Sequence, residues 1–320
     1  MDEAVIEARK TCERIVDNVE RVIVGKRKAV ELAVIGLISK GHLLIEDAPG
    51  VGKTILARSL AKSIDCSFKR IQFTPDMLPS DITGVSVYNQ KTSDFEFRPG
   101  PIMGNIVLAD EINRATPKVQ SALLECMEEG RVSVEGTTYD LPSPFHILAT
   151  QNPIEYEGTF PLPETQLDRF MLRLSLGYPS LSDEVSIMAN QQYAHPIDQL
   201  GPVATSDEVL ALQMVVRQIF VDDSMKQYIA SLVAGTRQNS AVYLGASPRG
   251  SLALFRTSQA LALLSGRDFV LPDDVKALAE AVLAHRLIVR SADHSRDNNV
   301  KTVISQLLDS VPVPGTIVAR

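Results

Sequence analysis

The chain is 320 residues long, more than one compact core usually holds, so two domains are expected. Hydrophobic residues make up 45% and charged residues 22%, a globular balance that speaks against long disordered stretches. A formal net charge of −7 argues against a constitutive nucleic-acid binder, which would carry a basic stripe to neutralise phosphates, although a ring could still concentrate basic residues in its pore.

Met1-Asp-Glu-Ala starts acidic and runs straight into a helical pattern, so no signal peptide is expected. From Glu3 to Val22 the residues Val5, Ile6, Ile15, Val16, Val19 and Val22 recur at helical spacing. Val22-Ile-Val-Gly25 breaks that helix, and Lys28 to Ser39 resumes it. The most apolar stretch, Ala29 to Ile38, contains Glu31 and is too short to span a bilayer, so no membrane insertion is expected. His42-Leu-Leu-Ile-Glu46 has the profile of a buried strand, and Thr54 to Ile64 returns to helical period. Strands are expected at Phe68–Phe73, Gly104–Ala109 and Phe145–Thr150, with a helix over Pro117–Glu129. This alternation implies a parallel sheet covered by helices on both sides. Arg131-Val-Ser-Val and Thr137-Thr-Tyr-Asp-Leu flank Glu135-Gly136, a hairpin signature. Beyond Pro179, helix starts are expected at Ser182, Ser206 and Pro272, each followed by acids. Further helices are expected at Asp222–Thr236, Pro248–Ser265 and Lys301–Leu308. The division expected is an α/β nucleotide-binding domain over 1–180 and an all-helical domain over 181–320.

Between the His42 strand and the Thr54 helix lies Glu46-Asp-Ala-Pro-Gly-Val-Gly-Lys-Thr54. A phosphate-binding loop needs glycines so that backbone N–H groups can turn inward, a lysine for the β/γ-phosphates and a hydroxyl for magnesium. Ala48, Pro49, Gly50, Val51 and Gly52 would form the cradle, with Lys53 and Thr54 in the other two roles. Asp47 stands where the general pattern has its first glycine; Asp tolerates left-handed backbone, and Pro49-Gly50 can still make the turn. Ile106-Val-Leu-Ala-Asp110-Glu111 is an apolar strand ending in two acids, whose burial is costly unless the charge is used. Asp110 would hold magnesium, directly or through water, and Glu111 would polarise the attacking water. Asn152 ends the Phe145 strand and would face the γ-phosphate, since ligands collect beyond the carboxyl ends of parallel strands. No histidine pair has zinc-ligand spacing. Cys12, Cys66 and Cys126 lack CxxC spacing and read as reduced thiols of a cytoplasmic protein.

Asp110-Glu-Ile-Asn-Arg-Ala, Ala149-Thr-Gln-Asn-Pro-Ile-Glu-Tyr-Glu-Gly158 and Pro161-Leu-Pro-Glu-Thr-Gln-Leu-Asp-Arg-Phe170 closely resemble the MoxR family of AAA+ ATPases. Phe73 to Gly84, Phe95 to Pro101 and Gly245-Ala-Ser-Pro-Arg249 fit the same family. The resemblance is most specific over 40–175 and looser in the helical region. It implies an AAA+ P-loop fold with a helical lid, ATP and magnesium as cofactors, and a homo-oligomeric ring, most simply a hexamer, with nucleotide between subunits. It also implies chaperone-like assembly or activation of protein complexes, with a von Willebrand factor A domain protein and a client complex as partners and no stable nucleic acid. By motif position Arg169 resembles the arginine finger reaching a neighbour's γ-phosphate, and Arg249 the second sensor contacting nucleotide from a lid. Either could instead be an ordinary ion-pair partner. Val24 and Gly25 would lie near the adenine, with a plain helix-to-helix turn as the competing reading. Asp76–Arg98 and Arg131–Leu141 resemble two insertions that project toward substrate or the pore; plain sheet edges remain the alternative. A magnesium-chelatase-like metal-insertion motor and a nucleic-acid motor are the rival functions.

Overall fold

Two helices precede the first strand in the computed structural model, which describes residues 3–152, 158–290 and 296–315. Helix α1 (Glu3–Glu20) buries Val5, Ala8, Cys12, Ile15, Val16 and Val19, one stripe at helical spacing. A turn at Gly25, where φ is +71°, leads into α2 (Arg27–Ile38). Strand β1 (Leu43–Glu46) then enters a sheet in which Leu43, Leu44 and Ile45 are all fully buried. A strand covered on both faces has no polar side, which is why it reads as a continuous apolar run.

The chain continues through α3 (Lys53–Ser63), β2 (Phe68–Gln72) and α4 (Pro79–Thr83) to an antiparallel hairpin of β3 (Gly84–Asn89) and β4 (Asp94–Pro99). Next come β5 (Ile106–Asp110), α5 (Pro117–Glu129) and a second hairpin, β6 (Arg131–Val134) with β7 (Thr137–Asp140). Glu135 and Gly136 both take positive φ, as a tight two-residue hairpin turn requires. Strand β8 (His146–Gln151), the short α6 (Glu164–Leu167) and β9 (Leu172–Leu174) complete the α/β part. The main sheet has the order β2-β5-β8-β1-β9, and all its pairings are parallel. Alternate strand residues feed two apolar clusters. Leu43, Ile45, Ile106, Leu108 and Leu148 pack toward α1, α2 and α3. Leu44, Val107, Ala109, Ile147 and Ala149 pack toward α5. Each buried Leu, Ile or Val contributes roughly 1.5–3 kcal/mol relative to exposure.

Two buried histidines fix the amino ends of β1 and β8. His42 Nε2 lies 3.0 Å from the Met127 carbonyl, and its Nδ1 accepts the Ile147 N–H at 3.1 Å. His146 Nδ1 lies 2.7 Å from the Gly41 carbonyl. Desolvation pulls His42 down to about 4 and His146 to about 3.

The C-terminal part holds α7 (Leu181–Asn190), α8 (Ser206–Val216), α9 (Asp223–Gln238), α10 (Pro248–Leu264), α11 (Pro272–Leu283) and α12 (Arg296–Ser310). The cap of helix α7 is Ser180, two residues before the expected Ser182, because Ser180 makes a capping box with Asp183. One antiparallel ribbon, β10 (Val242–Leu244) with β11 (Ile288–Val289), joins these helices. An apolar cluster runs without a break from Val16 and Ala33 to Leu212, Leu254 and Val275, so the C-terminal helices pack directly on α1 and α2. Among the described residues no helix is long and apolar enough to cross a membrane.

Candidate functional site

The loop from Asp47 to Gly52 joins the carboxyl end of β1 to α3. Gly50 and Gly52 take φ of +84° and +99°, and an added Cβ at either would meet nothing within 4 Å. Glycine is therefore needed for backbone conformation and not for space. Gly52 is the N-cap of α3 and offers no side-chain cap bond, so the first turn of α3 presents its N–H groups toward an anion site. Lys53 Nζ donates to the carbonyl of Asp47 at 2.8 Å, and Thr54 stands in that first turn, half-buried. Ala48 and Val51 are half-buried, while Pro49 is exposed.

Asp47 corrects the expectation that it substitutes for glycine by adopting left-handed backbone. It is absent from the positive-φ residues, and its side chain explains its presence. The carboxylate, in a residue only 8% exposed, accepts the Leu176 N–H and the Gly177 N–H, the latter at 3.1 Å. Its own N–H donates to the Gln151 carbonyl at 3.3 Å. Asp47 thus fastens the loop to the end of β8 and to the segment that follows β9.

Asp110 and Glu111 stand at the carboxyl end of β5. Asp110 is buried; its Oδ1 accepts Thr150 Oγ1 at 2.6 Å and its Oδ2 accepts Arg70 Nε at 3.1 Å and Nη2 at 2.5 Å. Glu111 adopts φ +59°, an uncommon conformation for glutamate that costs on the order of 1–3 kcal/mol and clusters at functional sites. Its N–H donates to Thr150 Oγ1 at 2.8 Å. Gln72 Nε2 and Arg114 Nη1 donate to Glu111 Oε2 at 2.8 and 3.0 Å. Asn152 is buried one residue past β8. The adjoining stretch of the family motif, residues 153–157, lies outside the described residues. Lys53, Thr54, Asp110, Glu111 and Asn152 therefore gather at the carboxyl edge of the parallel sheet, where ligands bind in open α/β folds. The hydroxyl and carboxylate of Thr54 and Asp110 are an oxygen-only donor set, which suits a magnesium ion sharing its remaining positions with phosphate and water.

Sequence reasoning overlooked Thr150, Arg70 and Gln72. The register Gln72↔Asp110 sets the end of β2 beside the end of β5, and the alternation Arg70, Gln72 puts both polar side chains on one face. That alternation is visible in the sequence, whereas the pairing of the two strands is not.

Gly25 lines a cleft of about 750 Å³ together with Glu46, Arg173, Leu176, Lys276 and Glu280. Arg173 Nη1 pairs with Glu46 at 2.6 Å across its floor. Val24 is half-buried in the turn before α2.

Arg169 and Arg249 stand elsewhere. Arg169 precedes β9, at the amino end of the sheet, where the Met171 N–H donates to the His42 carbonyl at 2.8 Å. Its Nη1 contacts Glu128 Oε2 at 2.8 Å and donates to the Leu124 carbonyl at 3.2 Å. Arg249, in the first turn of α10, reaches Glu128 Oε1 at 2.5 Å. One carboxylate on α5 therefore holds both guanidiniums. The four residues of β1, at about 3.3 Å each, separate this cluster from the phosphate loop.

Comparison with known proteins matches two stretches of the chain to family models. Residues 42–172 match the ATPase family associated with various cellular activities (AAA), and residues 234–307 match the AAA lid domain. The chain is 53% identical to the uncharacterised protein YeaC of Bacillus subtilis, over 94% of both chains. It is 42% identical to the chaperone MoxR1 of Mycobacterium tuberculosis, over 95% of this chain and 82% of that one. A crystal structure of a Cytophaga hutchinsonii protein, provisionally identified as an ATPase, superposes with a TM-score of 0.90 at 38% identity, covering 97% of both chains.

Proposed function

Because this chain belongs to the MoxR family of AAA+ ATPases, we propose that it hydrolyses magnesium-bound ATP at sites completed between neighbouring copies and uses the cycle to remodel a client protein complex. AAA+ proteins typically work as rings, and a hexamer is the arrangement proposed here. Residues 1–180 would form the nucleotide-binding unit and 181–320 the lid.

In this reading the N–H groups of Ala48, Gly50, Val51 and Gly52 and the Lys53 ammonium receive the phosphates, Pro49 shapes the loop without a donor of its own, and the Gly25 turn, with Val24, receives the adenine. A magnesium ion held by Thr54 and Asp110 would supply charge neutralisation on the β- and γ-oxygens. Glu111 takes the proton of the attacking water, and Asn152 orients that water. Lys53 has three N–H donors, so it can keep its bond to the Asp47 carbonyl and still reach a phosphate oxygen. Arg169 and Arg249 act together on the nucleotide of the adjoining copy.

One observation carries this reading: the arginines meet on Glu128 at one end of the sheet while Lys53, Asp110 and Glu111 stand at the other. A single copy has no way to bring both groups onto one γ-phosphate, and a neighbour in a ring does. The mycobacterial relative, the chaperone MoxR1, supports the remodelling role. A von Willebrand factor A domain protein with its client complex is the partner proposed, and the cytoplasm the compartment.

Glu111→Gln tests the chemical core. The variant should bind ATP as the parent does and turn over about 10²–10⁴-fold more slowly, as loss of a general base predicts. Undiminished turnover would remove Glu111 from the role of base.

A further inference from the structure

The C-terminal helices reach back to the amino end of the sheet and grip the turn that carries Arg169. Arg286 ends the 3-10 turn Ala284–Arg286 that follows α11, and it is only 5% exposed. Its Nε donates to Asp168 Oδ1 at 2.9 Å. Its Nη2 donates to the Phe170 carbonyl at 2.6 Å and the Asp168 carbonyl at 3.3 Å. Its Nη1 donates to the Met171 carbonyl at 3.2 Å and to the Val282 carbonyl of its own helix. Ser247 Oγ donates to the other oxygen of Asp168 at 2.7 Å, and His285 Nε2 lies 3.0 Å from the Phe170 carbonyl. Both carboxylate oxygens of Asp168, and the carbonyls on either side of Arg169, are therefore held by residues of the helical part.

Burying a guanidinium is expensive, and the cost is offset here by a set of acceptors that only a planar five-donor fork can serve at once. Desolvation lowers Arg286 to about 10 while Asp168 opposes the shift, so the group stays charged at neutral pH. Among the described residues the Arg169 side chain, about a third exposed, holds Glu128 and the Leu124 carbonyl.

We propose that Arg286 is a positioning residue for Arg169, fixing residues 168–171 so that the Arg169 guanidinium meets the phosphate of the adjoining copy. The inference rests on the reading of Arg169 as a group acting between copies. It adds that the lid sets where that group stands, since Ser247, His285 and Arg286 all belong to the lid. Lid movement in one copy would then displace the arginine offered to the next.

A double-mutant cycle on the assembled ATPase tests this. Arg286→Met should lower kcat about 10²-fold, the scale of a 1 Å misplacement of a reacting group, with KM unchanged. Arg286→Lys, which keeps the charge but loses the fork, should not restore kcat. In an Arg169→Ala background, adding Arg286→Met should change kcat by no more than about twofold, the scatter within which the effects of independent sites add. A full kcat in Arg286→Met, or a second loss of undiminished size in the Arg169→Ala background, overturns the proposal while leaving Arg169 in its role. Full kcat in Arg169→Ala alone instead overturns the reading of Arg169, and the positioning role with it. Should Arg286→Met not fold, Asp168→Asn, which removes only the charge at the centre of the network, is carried through the same cycle with the same criteria.

Discussion

The carboxylate of Asp47 receives two backbone N–H groups from Leu176 and Gly177 in a position almost closed to water. Hydrogen bonds to a charged acceptor contribute about 1.5–3 kcal/mol each, and a partner left unpaired in a buried site costs more than its bond was worth. Asp47→Gly, which restores the general phosphate-loop pattern, should therefore destabilise the protein by about 2 kcal/mol or more in urea unfolding. Asp47→Asn, which keeps one acceptor oxygen, should lose less. An unchanged unfolding midpoint in Asp47→Gly would show that these bonds contribute nothing. In the sequence Asp47 reads as a departure from glycine. Its partners lie 129 and 130 residues further along the chain, so no local pattern could reveal them. Lys53 and the Asp110-Glu111 pair were legible because their chemistry is carried by neighbours in sequence. Thr150, Arg70 and Gln72 were not, because they act through the pairing of β2, β5 and β8.

The pairing of β1 with β8 depends on imidazoles that are neutral in the fold. His42 accepts the Ile147 N–H at Nδ1, a bond that protonation would abolish. Unfolded histidines titrate near 6.5, while burial holds His42 at about 4 and His146 at about 3. Above about pH 6.5 both states are neutral and these residues leave stability unaffected by pH. As pH falls from 6.5 toward 4, the unfolded chain binds protons that the folded chain refuses, so stability falls by up to about 1.4 kcal/mol per pH unit for each histidine. His285, desolvated and beside Arg286, acts in the same direction. Urea unfolding at pH 7, 6 and 5 should show this loss, and His146→Gln should make it shallower while His42 and His285 keep part of it. A stability independent of pH over that range would contradict the neutral pair. At this scale the longer elements were legible: α1, α5 and β1 carry apolar residues at their own period. Strands β9, β10 and β11, of two or three residues, are too short to have a period and exist only through their partners. The β3–β4 hairpin was read only as an insertion, since its outer residues Val85, Tyr88 and Phe95 are exposed and leave no buried face to follow.

Across the whole molecule, two features face outward from the sheet. The hairpins β3–β4 and β6–β7 are joined by stacking of Phe97 on Tyr139, with ring centroids 4.0 Å apart and planes 14° from parallel. The other feature is the separation of Arg169 and Arg249, held on Glu128, from Lys53, Asp110 and Glu111 at the opposite end of the sheet. The sequence and its family resemblance supplied the names of Arg169 and Arg249. Their convergence on Glu128 depends on Arg249, 121 positions from Glu128, and appears only once the lid is folded against α5. The most direct test of the shared site is to mix two inactive variants. Lys53→Ala should lose its own nucleotide site and Arg169→Ala its contribution to the neighbour's. Co-assembled at equal amounts in a ring of heterologous contacts, about a quarter of the interfaces pair an intact phosphate loop with an intact arginine, and ATPase activity should recover toward that fraction. Co-assembly verified by native mass spectrometry with no recovery of activity would contradict a site completed between copies.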